Sequence, residues 1–70
     1  MTSQYTAITQ QNNGWWVGWI EEVPGVNAQE KTKEKLLASL REMLKEAIEF
    51  NRQDAKASAQ GGYTEELVSV

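Results

Sequence analysis

Residues 12 to 25 read NNGWWVGWIEEVPG, and the fold turns on how this stretch divides. Asn13 and Gly14 both tolerate positive φ, and such a pair between two β-rich runs marks a two-residue hairpin turn. The run before it, QYTAITQ from Gln4 to Gln10, alternates in character, and the run after it, WWVGWIEE from Trp15 to Glu22, is the second strand. Pro24 has no N–H for a ladder and Gly25 permits a turn, so Val23-Pro24-Gly25 stops that strand. VNAQE, residues 26 to 30, then reads as a short third strand. Side chains alternate along a strand, so Trp16, Gly18 and Ile20 share one face while Trp15, Val17 and Trp19 share the other. Gly18 has no side chain and lets a helix come close, which places the first set under a helix and leaves the second set outside.

From Thr32 the period changes. Leu36, Leu37, Leu40, Met43, Leu44, Ala47 and Ile48 recur at helical spacing, with Arg41, Glu42, Lys45, Glu46 and Glu49 on the other side. Thr32 suits the cap, Glu34 suits the positive end of the helix dipole, and Glu42/Lys45 and Lys45/Glu49 are helix-surface pairs. The helix is expected to fade between Asp54 and Ala59. Gln60-Gly61-Gly62 is then a flexible connection, and TEELVSV, residues 64 to 70, returns as a fourth strand in which Leu67 and Val68 or Val70 join the sheet. The order β-β-β-α-β predicts a single α+β domain over residues 1–70, an antiparallel sheet with one helix across one face. A half-covered sheet normally alternates apolar and polar residues, so the outer set Trp15, Val17 and Trp19 is the anomaly.

Composition narrows the functions available to such a domain. A chain of 70 residues buries only about 60% of the surface its unfolded form exposes. With no Cys and no His, neither disulfides nor the usual zinc sites can supplement that core. Self-association remains, and the expected form is a homodimer or homotetramer with twofold symmetry, built partly on Trp15, Val17 and Trp19. The same absences remove Cys and His nucleophiles and the imidazole base. Glu21 and Glu22 are adjacent in a strand and point to opposite faces, so they make a poor acid/base pair. No enzyme, cofactor or metal site is predicted. No apolar run approaches the ~20 residues that cross a bilayer, and the start lacks signal-peptide character, so a cytoplasmic protein is expected. A net charge of −3 argues against a phosphate-gripping surface and direct DNA binding, and suits a basic partner. Aromatic base-stacking platforms sit in basic grooves, whereas here the nearest charges in sequence are Glu21 and Glu22. Trp15 and Trp19 therefore read either as a surface for a partner protein or as the core of a homodimer.

The segment GWWVGWIEEVPGVNAQEKTKEKLLASLREML resembles the HicB antitoxin family of type II toxin-antitoxin systems. The likeness runs from Tyr5 to about Ile48. It rests on Gly14, Trp16, Val17, Ile20, Glu22, Pro24, Gly25, Thr32, Glu34, Leu37, Leu40 and Glu42, while Lys35, Leu36, Ser39 and Met43 depart from the pattern. The resemblance implies a partial RNase H-like β-β-β-α-β domain. Such a domain neutralises a HicA-like toxin, a small basic mRNA-cleaving protein, by direct binding. Many relatives carry a C-terminal DNA-binding segment; the chain as read to Val70 has none, so a short form without promoter binding is expected. The partner contact is placed at Trp19, Glu21, Glu22, Pro24 and Gly25. The alternative is an orphan HicB-like homo-oligomer without a toxin partner.

Overall fold

The computed structural model describes residues 4–70. Within them the chain forms β1 (Ala7–Asn12), β2 (Trp15–Ile20), β3 (Asn27–Glu30) and α1 (Lys33–Ala57). The strands make one antiparallel sheet in the order β1-β2-β3, giving an α+β architecture. Asn13 (φ 52°) and Gly14 (φ 80°) are both left-handed, as a type I′ turn requires, and the turn closes on the Asn12–Trp15 pair. That closure fixes the register. It also carries β1 through Gln11 and Asn12 to the turn, so the strand lies nearer the hairpin tip than Gln4–Gln10 suggested. At the other end β2 stops at Ile20 rather than Glu22. Glu21 still donates its N–H to the Thr6 carbonyl at 2.9 Å, but on the β3 side the last bond is from the Ile20 N–H to the Val26 carbonyl at 3.0 Å. The reversal is a type II turn at Val23–Val26: the Val26 N–H reaches the Val23 carbonyl at 3.4 Å across Pro24 and Gly25 (φ 90°).

Helix α1 begins where its cap chemistry dictates. Thr32 is extended and its hydroxyl oxygen accepts the Lys35 N–H at 3.2 Å, satisfying one orphan donor. At the far end the Ser58 hydroxyl donates to the Asp54 carbonyl at 2.9 Å, inside the window expected for the helix to fade. The helix lies on the face carrying Trp16, Gly18 and Ile20, as the glycine implied. A Cβ on Gly18 would sit 3.1 Å from Leu36 Cδ2 and 3.4 Å from Leu40 Cδ1, so the missing side chain sets how closely helix and sheet approach. Leu36, Leu40, Ile20 and Val26 are the buried core, with Ala28, Leu44 and Ala47 packed against it. A half-buried hydrogen bond from the Ser39 hydroxyl to Glu30 Oε2, 2.7 Å, ties the helix to β3.

Two expectations change. The apolar stripe is wider than the sheet can cover: Leu37 and Met43, on its two flanks, remain exposed. The fourth strand is not formed. Residues 63–70 carry no strand, and Leu67, Val68 and Val70 are fully exposed. A helix of 25 residues runs about 37 Å, whereas a strand of six residues spans about 20 Å, so the chain leaves the helix beyond the end of the sheet. Gly61 (φ 92°) then turns the chain, and Lys56 holds Glu65 at 3.6 Å beside the helix end.

Candidate protein-binding surface

No described residue covers the face of the sheet opposite the helix, and pairing register says what lies on it. Two cross-strand rows run over β1, β2 and β3, Ile8–Trp19–Asn27 and Gln10–Val17–Gln29, and a third, Asn12–Trp15, joins β1 and β2 at the hairpin end. Trp15, Val17 and Trp19 thus form a central apolar ridge, widened by Ile8 beside Trp19 and bordered by side-chain amides. Trp19 is 42% exposed and Trp15 is 36% exposed, unusual for the most costly side chains to leave in water. Lys31 continues the alternation of Asn27 and Gln29, and its ammonium stands 3.8 Å from the centroid of the Trp15 ring. A cation over an exposed indole contributes about 0.5–1 kcal/mol. The ridge therefore has a basic end at Trp15, while at the Trp19 end the next residue on the same alternation is Glu21.

The two adjacent glutamates have different surroundings. Glu21 is exposed, and among the described residues no side-chain hydrogen bond or ion pair engages its carboxylate. Glu22 Oε1 instead accepts the Thr6 backbone N–H at 2.8 Å, closing the chain that leads into β1 onto the chain that leaves β2. This hydrogen bond holds the Glu22 pKa below its ordinary value of 4.5. A carboxylate whose pKa is lower in the folded chain stabilises the fold above its unfolded pKa and ceases to do so as the pH falls through the folded one. Glu22→Ala is accordingly expected to lower the urea midpoint at pH 7, and the gap from wild type should close as the pH falls below 4.5. A gap that persists unchanged at pH 2 would show that the Thr6 contact is not its source.

The residues assigned to a partner contact thus form one corner: Trp19 on the open face, Glu21 beyond it, and Pro24 and Gly25 exposed in the turn that follows. Glu22 belongs to the corner's construction. The two residues that sequence reasoning missed, Ile8 and Lys31, were legible once the Asn13-Gly14 turn fixed the register, because counting back from it pairs Ile8 with Trp19. Among the described residues no three of His, Cys, Asp and Glu gather to hold a metal ion, and no helix is long and apolar enough to cross a membrane. Neither a family model, nor a curated protein, nor a solved structure matches this chain.

Proposed function

We propose that this chain is a HicB-like, antitoxin-type protein that binds a small basic HicA-like toxin through the outer face of its sheet and blocks the toxin's RNA surface by occupying it. The observation that carries the reading is the exposed tryptophan ridge, which ends at the exposed carboxylate of Glu21. An RNA-cleaving toxin presents cations where phosphates lie, so Glu21 can stand in for a phosphate while Trp19 and Ile8 supply the desolvated contact. The partial RNase H-like shape is part of this proposal and rests on the resemblance of residues 5–48 to the family pattern. Blocking by occupancy needs no catalytic group.

The roles of charge and aromatic separate in kinetics. Glu21→Lys is expected to slow association and flatten its salt dependence, because steering is a long-range effect. Trp19→Ala is expected to raise the dissociation rate about 30-fold or more, the ~2 kcal/mol of an interface anchor. Growth rescue of cells expressing a HicA-like toxin, with binding kinetics of each variant, measures both. If both variants fold and rescue as wild type does, the contact is elsewhere, and the helix surface around Arg41 and Lys45 is the next to test. A second reading, a homo-oligomer with no toxin partner, is favoured by apolar side chains exposed away from the ridge, Phe50 and Leu67 among them. It predicts a defined assembly and no binding to that toxin.

A further inference from the structure

Opposite the tryptophan ridge, an open groove of about 600 Å³ runs between the free edge of β1 and the flank of α1. Tyr5 and Ala7 line one side, Leu44 and Ile48 the other, and Arg41 and Lys45 border the same space. Among the described residues the β1 edge beside it is unpaired. Glu21 bonds to Thr6, and antiparallel pairing alternates, so Ile8, Gln10 and Asn12 turn their backbone groups to β2. The backbone N–H and C=O groups of Ala7, Thr9 and Gln11 therefore face outward along the edge, a template for one more strand. The same chain carries a segment suited to it. In an extended Thr64–Val70, Glu66, Val68 and Val70 share one face and Leu67 the other. That face matches the groove, two valines for its apolar wall and a carboxylate for Arg41 and Lys45.

The chain's own segment does not occupy this place. Tyr63, Thr64 and Glu66 lie against Arg52 and Lys56, and Glu65 pairs with Lys56. With Glu65 held at Lys56, Glu66 stands fifteen residues of helix, about 22 Å, from Arg41, so its carboxylate does not face the Arg41 end of the groove in the single chain. We infer that the groove and β1 edge receive residues 64–70 of a second copy of this chain, reciprocally, in a twofold dimer made by strand addition. The arrangement covers the edge and the exposed Leu67–Val70 segment together. It leaves Trp15 and Trp19 free for another protein, and it does not depend on what that protein is.

Two measurements on the full chain test it. Sedimentation equilibrium at micromolar concentration should give twice the 7.9 kDa of one chain. Val68→Asp with Val70→Asp should return the mass to that of one chain with unchanged helical circular dichroism, since both residues are exposed in the single chain. Trp15→Ser with Trp19→Ser should remain dimeric. For the second measurement, ¹⁵N-labelled wild type is mixed with unlabelled chain carrying a nitroxide on Ser69→Cys. Amide signals of Ala7, Thr9 and Gln11 should broaden, and such broadening can come only from the other chain. A monomeric wild type overturns the inference, as does a dimer that survives both aspartates, or broadening confined to the Trp15–Trp19 ridge or absent.

Discussion

Leu36→Ala is expected to cost about 2–5 kcal/mol of stability, the range for emptying a fully buried leucine site. In a larger protein this would be tolerable. Here the domain as a whole is expected to hold roughly 4–10 kcal/mol, from typical per-residue stability, so one side chain decides whether the fold survives. Leu36 is 0% exposed and packs with Leu40, Ile20 and Val26, the buried core among the described residues. Gly18 is the sheet residue beneath it and has no side chain that could move into the void. The neighbouring Leu37 is the natural control, because it is 42% exposed on the same turn of helix. Urea unfolding followed by circular dichroism should show a large drop in midpoint for Leu36→Ala and a small one for Leu37→Ala. Equal losses would mean that the helix does not dock as described.

The second large effect is at Gly18, where two tendencies oppose each other. In an ordinary strand interior, replacing glycine by alanine or valine removes an entropic penalty and adds a better strand former. At this site an added Cβ would lie 2.8 Å from the Ile8 carbonyl oxygen and 3.1 Å from Leu36 Cδ2. The nearer of these is backbone in a paired strand and cannot swing away, so the contact outweighs the propensity. Gly18→Ala is expected to cost about 1–3 kcal/mol, as overpacking does, which lowers Tm by roughly 5–20 °C in a domain of this size. Gly18→Val should cost more, since it adds two further methyl groups at a position where Cβ is already crowded. Calorimetry of the two variants checks the order, and an unchanged or raised Tm for Gly18→Ala would refute the close approach.

The local part of the information lies in the hairpin, the helix ends and the alternation of β2. The hairpin was legible because Asn13-Gly14 demands one turn type, and that turn fixes the β1–β2 register by counting outward. Helix α1 was legible at both ends, from Thr32 as a cap and from the loss of periodicity before Ala59. The two faces of β2 followed from alternation, and Gly18 selected the one that meets the helix. What could not be read was how far each apolar stretch would be covered. Leu37 and Met43 have the same periodicity as Leu36 and Leu40, yet a sheet only three strands wide reaches just the central row. Glu21 and Glu22 are identical neighbours, and only the approach of Thr6 across the sheet distinguishes a free carboxylate from an engaged one. The fate of TEELVSV was the least local feature of all. Its composition suits a strand, but pairing depends on a β1 edge far away in sequence and on a helix whose length sets where the segment emerges. The sequence alone determined the turns, caps and alternating faces, because these depend on φ preferences and side-chain period within a few residues. The tertiary structure decided which apolar groups are covered and which backbone edge stays open, because those depend on the relative size of the helix and sheet that meet.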